Sequence, residues 1–189
     1  KGFFMKNLDS TGLKRLHREW RRRTEGDVAL LLDSVQTPFN VGSILRTAAA
    51  YRVSHIWLAG ATASPTHTKT NRTALGTGRY LTWTVCETVA EALVEIKEAG
   101  YFLLGIELAD HAVPLHKVSM ADQVCLALGH EDRGLSAPVL QACDAVAFIP
   151  QLGRVGSLNV ATAAGIALYE TNRRTWVEDS GAERSDFDT

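Results

Sequence analysis

The 189-residue sequence has no apolar run long enough to span a bilayer. No secretory core follows the basic residues near its start. Membrane attachment is therefore not expected, and the expected compartment is the cytoplasm. Cysteine is scarce: Cys86, Cys125 and Cys143 are odd in number and far apart, with no C-x-x-C pair. That excludes a disulfide framework and a zinc ribbon, and leaves buried, reduced thiols as the expectation. No His, Cys, Asp and Glu set shows ligand spacing, so no metal is expected. Repeats, low-complexity tracts and interdomain linkers are lacking too. What remains is one domain with room for a full core. Its 46% hydrophobic and 22% charged residues are ordinary for a globular protein.

Net charge is also lacking, at −1, but the balance hides an asymmetry. Residues 14–23 carry Lys14, Arg15, Arg18, Arg21, Arg22 and Arg23 against Glu19 alone. This basic arm reads as a helix with Trp20 inside it, which suits a phosphate backbone as well as a plain solvated face. The stretch 178–189 carries Glu178, Asp179, Glu183, Asp186 and Asp188 against Arg184, without periodicity, and disorder is expected there. Three segments follow from this: a basic arm over 1–26, a domain over 27–174, and an acidic tail over 175–189.

Within the domain, short apolar runs alternate with helical patterns. Residues 28–32, 54–59, 81–85, 101–106, 124–128 and 145–149 read as strands. Residues 41–51, 88–99 and 158–172 read as helices, with a shorter helix from Ser136 to about Cys143. Asn40 is expected to cap the first of these helices, and Gly100 to end the second as a C′ glycine. A long loop over 60–80 holds Lys69, Arg72 and Arg79, and loops of that length are commonly functional or mobile. The alternation predicts an α/β fold, a mostly parallel sheet with helices on both faces.

Three blocks invite chemistry. In Asn40-Val-Gly-Ser-Ile-Leu-Arg46, Arg46 lies about 600° round the helix from Asn40, off its face, and under Gly42 and Ser43. Bare backbone at Gly42 beside a guanidinium would make an anion site. Leu128-Gly-His-Glu-Asp-Arg-Gly-Leu135 places Glu131 between glycines at a strand's carboxyl end, where open α/β sheets bind ligands. Pro150-Gln-Leu-Gly-Arg-Val-Gly-Ser-Leu-Asn159 joins strand to helix through Gly153 and Gly156. It resembles a phosphate loop but fails both tests. G-x-x-G is not the dinucleotide fingerprint, with no strand-end acid about 20 residues on, and no Lys follows Gly156 as a P-loop requires.

Together these blocks resemble the three motifs of the SpoU–TrmH family of RNA 2′-O-ribose methyltransferases, in the SPOUT class. The stretches are "NVGSILRTA", "LALGHEDRGLS" and "FIPQLGRVGSLNVATAAGIALYE". The likeness runs from about Val28 to Arg173 in matching order, and "KTNRTALGTGRYLTW" resembles the loop between the family's motifs. Ala161 departs from a frequent Ser.

The resemblance implies a C-terminal deep trefoil knot and bound S-adenosyl-L-methionine. The implied cofactor residues are Leu104, Gly105, Ile106, Glu107, Gly129, Ile149, Gly153, Ser157 and Leu158. It implies a homodimer, with the small-residue helix from Leu158 as a packing surface. Arg46 is the implied holder of the target phosphate and the developing alkoxide, with Asn40, Ser157 and Asn159 orienting it and the ribose, and Glu131 anchoring loop or guanidinium geometry. RNA is expected on Arg15, Arg18, Arg21, Arg22, Arg23, Lys69 and Arg72. Transfer RNA is favoured over ribosomal RNA, because a short N-terminal arm leaves no separate RNA-binding domain. A non-catalytic RNA-binding knot protein is the alternative from another class.

Overall fold

The computed structural model describes residues 6–176. The acidic stretch 178–189 lies outside the described residues. In chain order the elements are α1 (Ser10–Arg23), β1 (Asp27–Asp33), α2 (Pro38–Ala50), β2 (Ile56–Ala59), α3 (Thr68–Ala74), β3 (Trp83–Cys86), α4 (Val89–Glu98), β4 (Phe102–Ile106), β5 (Val113–Pro114), β6 (Gln123–Leu128), α5 (Ala137–Ala142), β7 (Ala145–Phe148) and α6 (Val160–Arg174). The sheet has seven strands in the order β3-β2-β1-β6-β4-β7-β5, every pairing parallel.

β1 shows why the sheet sits centrally. Its run Leu30-Leu31-Leu32 is fully buried, and alternate residues feed two separate cores. Leu30 and Leu32 pack with Ile44 and Leu45 of α2 and Leu168 of α6. Ala29 and Leu31 pack with Ala92 and Ile96 of α4 and Val139 of α5. A strand flanked on both sides has no polar face to write into its sequence, hence the unbroken apolar run. Fully burying a leucine is worth about 1.5–3 kcal/mol, so this strand anchors the fold.

Two helix ends follow the same geometry with different residues. α4 starts with a capping box between Thr88 and Glu91 and, as expected, ends at Gly100, whose φ is +79°. There Gly100 N–H donates to Lys97 O and Tyr101 N–H to Ile96 O. α2 ends identically, Arg52 N–H donating to Ala49 O and Val53 N–H to Ala48 O. Its left-handed residue is Arg52, with φ 54°.

Two expectations need correction. α2 begins three residues earlier than expected, with Thr37 as its cap and Pro38 in the first turn. Proline is suited to that position because its missing N–H has no partner to lose. Asn40 is therefore inside the helix and not its cap. The stretch 60–80 is not all loop: α3 and a 3-10 turn at Thr77–Tyr80 occupy it. α3 lies so close to α2 that a Cβ at Gly42 would sit 2.6 Å from both Thr70 O and Thr73 Cβ. Gly42 thus serves helix packing, and its backbone is closed to any anion.

Candidate active site

The strands' carboxyl ends converge on a cavity of about 280 Å³. Its walls are the loops after β4 (Ile106, Glu107, Leu108), β6 (Leu128–Gly134) and β7 (Phe148, Ile149, Gln151), closed by Ser157, Leu158, Val160 and Ala163 at the entry to α6. Chain after β7 returns across this end of the sheet so that α6 can pack on α2. That return path encloses the cavity.

Beneath the cavity one carboxylate ties three loops together. Glu131 Oε1 accepts from Thr37 N–H at 2.9 Å and from Asn40 Nδ2 at 3.0 Å, and Oε2 accepts from Gln36 N–H at 3.2 Å. Asn40 Oδ1 in turn accepts from Asn159 Nδ2 at 3.0 Å. Asn159 Oδ1 caps α6, accepting from Ala161 and Thr162 N–H groups. Partial burial pushes the Glu131 carboxyl up, but the hydrogen bonds from Asn40 and Thr37 outweigh it and hold the pKa at about 2. The group is an anion fixed near the start of α2, where the helix dipole favours negative charge.

A second carboxylate shapes the β6 loop. His130 and Gly134 exchange both backbone hydrogen bonds, pinching the loop shut. A Cβ at Gly129 would lie 2.2 Å from Gly134 C, and a Cβ at Gly134 would lie 2.2 Å from Glu107 Oε2. Glu107 uses that oxygen to accept from Leu135 N–H at 2.9 Å. Gly129 is therefore required by contact with backbone, and Gly134 by its φ of +68°.

Of the nine expected cofactor residues, Ile106, Glu107, Gly129, Ile149, Ser157 and Leu158 line the cavity. Leu104 does not: it is fully buried among the core side chains. Gly105 sits against Cys143 and Leu135, where a Cβ would meet each at 3.0 Å. Gly153 stands in open space outside the cavity wall. The reason is strand geometry, since only the last residue of β4 reaches the sheet's end. His130 and Gln151, in the expected cofactor loops with Gly129 and Ile149, line the cavity too, as does Arg133, which the sequence did not single out. Their place in loops after β6 and β7 was the signal available.

The five expected catalytic residues divide into three groups. Glu131 and Ser157 face the cavity. Asn40 is buried and Asn159 exposed, they bond to each other, and neither lines the cavity. Arg46 is exposed on the outer side of α2, with no hydrogen bond or ion pair among the described residues, and it does not line the cavity. The small residues of α6 divide, with Ala161, Ala163 and Gly165 partly exposed. Ala164 and Ala167 are fully buried in the chain's own core, and the exposed face carries Ile166 and Tyr169.

The expected RNA contacts are accessible. Arg15, Arg18, Arg21 and Arg22 are exposed on α1, and Lys69 and Arg72 on α3. Arg23 is partly buried, 3.0 Å from Glu19 and stacked over Trp20. No helix among the described residues is long and apolar enough to cross a membrane.

Comparison with known proteins agrees with this geometry. The family model described as the SpoU rRNA Methylase family matches residues 27–169. The 23S rRNA (guanosine-2′-O-)-methyltransferase RlmB of Acinetobacter baylyi is 34% identical over 78% of this chain and 61% of its own length. The tRNA (guanosine(18)-2′-O)-methyltransferase of Escherichia coli is 29% identical over 82% of this chain and 67% of its own. The AdoMet-bound rRNA methyltransferase of Sinorhizobium meliloti superposes with a TM-score of 0.76 at 28% identity, covering 89% of this chain and 71% of that one. The chain thus spans about 61% of the length of its Acinetobacter relative.

Proposed function

Since the chain belongs to the SpoU rRNA methylase family, we propose that it transfers a methyl group from S-adenosyl-L-methionine to a ribose 2′-hydroxyl of RNA in the cytoplasm. The observation that carries this reading is the Glu131–Asn40–Asn159 chain, which joins all three sequence blocks under one cavity at the strands' carboxyl ends. Such crevices are where open α/β sheets take their ligands.

The cavity's own groups suit the cofactor. Ile106, Phe148, Ile149 and Leu158 give it apolar walls for a flat base. Gln151 Oε1 is buried without a hydrogen-bond partner among the described residues, leaving an acceptor for an amino group. A buried acceptor left unpaired costs about 1–3 kcal/mol, which a donating ligand would recover. When bound, S-adenosyl-L-methionine supplies a methyl group on sulfonium that needs no further activation.

The chain's part is to align the reactants and manage charge. Alignment of two reactants is worth about 7–11 kcal/mol. Arg46 holds the phosphate beside the target ribose and stabilises the negative charge that grows on the 2′-oxygen as its proton leaves. A guanidinium keeps its proton near neutrality, so Arg46 acts electrostatically and not as the base. Because Arg46 does not face its own chain's cavity, the working site is composed in a homodimer. Leu152, Val155, Ile166 and Tyr169 are exposed apolar residues available to such an interface. The return of the chain after β7 across the ends of β4 and β6 supports a trefoil knot in the C-terminal third.

RNA docks on the basic arm over 1–26 and on α3. Transfer RNA is the first reading of the substrate. Ribosomal RNA is the second, favoured by the 34% identity to the RlmB relative. Incubation with methyl-labelled cofactor and total RNA tests all of this. Label in small RNA supports a transfer RNA substrate, label in large RNA a ribosomal one, and no label in either overturns the enzyme.

A further inference from the structure

A second cavity of about 660 Å³ lies at the opposite end of the sheet, between α1, the start of β1 and the last turn of α2. β1 spans roughly 20 Å, so this cavity is that far from the proposed transfer site. Its wall combines the aromatic rings of Trp20, Trp176 and Tyr51 with the cations Arg18, Arg21 and Arg52. Trp20 and Trp176 meet at 4.8 Å between centroids, and Trp20 stays 39% exposed. The carboxylate on this wall, Asp27, already accepts from the Tyr101 hydroxyl at 2.7 Å.

Arg52 supplies an independent sign. It occupies the left-handed position that glycine fills at the matching end of α4. A side chain there is strained, and such strain collects at functional sites. Here it places a guanidinium on the wall of an aromatic cavity.

We propose that this groove holds an unstacked nucleotide of the RNA substrate, its base against Trp20 and Trp176 and its phosphates on Arg18, Arg21 and Arg52. The inference rests on the RNA reading above. Aromatic faces with flanking cations are how proteins take single-stranded nucleic acid. A second copy of the chain fits less well, because a two-fold contact would set this basic face against itself.

The test is titration of the full chain, without cofactor, by a short oligoadenylate, followed by tryptophan emission. Wild type should show quenching. Trp20→Ala should bind about tenfold more weakly, with Trp20→Phe recovering most of the loss. Arg52→Gly should melt about 2–4 °C higher yet bind about threefold more weakly, with a shallower salt dependence. A purely structural Arg52 cannot give that opposed pair of shifts. Wild-type affinity in both Trp20→Ala and Arg52→Gly overturns the groove, as does a Trp20→Ala chain that loses only self-association in sedimentation. Oligonucleotide binding that behaves as stated while no RNA accepts label overturns the methyltransferase reading and leaves the groove supported.

Discussion

The two ends of the sheet carry opposite electrostatic designs. At the carboxyl ends four of the charged and amide groups are committed to loop backbone or to one another. Glu131, Asn40, Asn159 and Glu107 spend their oxygens and amides on loop backbone and on each other. At the amino ends Lys14, Arg15, Arg18, Arg21 and Arg22 of α1 are exposed, while Arg23 pairs with Glu19, and no α1 residue is fully buried. A committed network costs little to keep rigid and can hold a small cofactor in one pose. An uncommitted basic face keeps its charge available for a large polyanion, at the expense of α1's own anchorage. Rigidity and availability therefore sit at opposite ends, with Arg46 at neither.

That contrast can be broken, and the largest effect is expected at Arg46. Arg46→Ala should lower methyl incorporation at least a hundredfold while leaving cofactor affinity within a few-fold, as read by labelled transfer and calorimetry. Substantial residual turnover would sink its assignment. Gly129→Ala should be next, because its Cβ meets backbone at 2.2 Å. A loss of several kcal/mol in denaturant unfolding, with cofactor binding abolished, is the expected result.

Asn40→Ala strips Glu131 and Asn159 of a partner together. Glu131 keeps Thr37 and Gln36 N–H and Asn159 is exposed, so only about 1 kcal/mol should be lost, as read by denaturant unfolding. Glu131 sharpens the same point through pH. Its pKa is lowered from an ordinary 4.5 to about 2, so its contribution is complete above 4.5 and is lost as pH falls through 2. Glu131→Gln should flatten the stability profile across that acid window in thermal melts at stepped pH. The smallest effect belongs to the basic side: Arg72→Ala should weaken RNA about threefold at low salt and reduce the salt slope by about one, without moving the melting temperature. A marked drop in melting temperature would mean that α3 uses the residue structurally.

Much of this was legible in the sequence. The Leu30-Leu31-Leu32 run announced a strand buried on both faces, because parallel strands between helix layers leave no polar side. Gly100 marked the end of α4, because a glycine there lets the chain satisfy backbone groups locally. Glycines flanking Glu131 marked a loop that lines the cavity. Asn40 was misread because capping and tertiary hydrogen bonding use the same side chain, and only the position of Glu131, 91 residues away, separates them. Gly42 was misread for a similar reason: a missing Cβ looks the same whether an anion or a helix comes close.

Local chemistry, then, was determined by sequence: which segments are strands, where α4 starts and stops, which blocks hold reactive groups, and that basic charge gathers on one helix. Backbone hydrogen bonding and side-chain periodicity act over a few residues, and the order of residues records them. Tertiary structure alone decided that Leu104 and Gly105 are core, that Gln151 lines the cavity, and that Arg46 does not. It alone set Trp20 against Trp176. Those outcomes depend on contacts between segments scores of residues apart, and the free energy that selects them belongs to the packed whole, not to any stretch of chain.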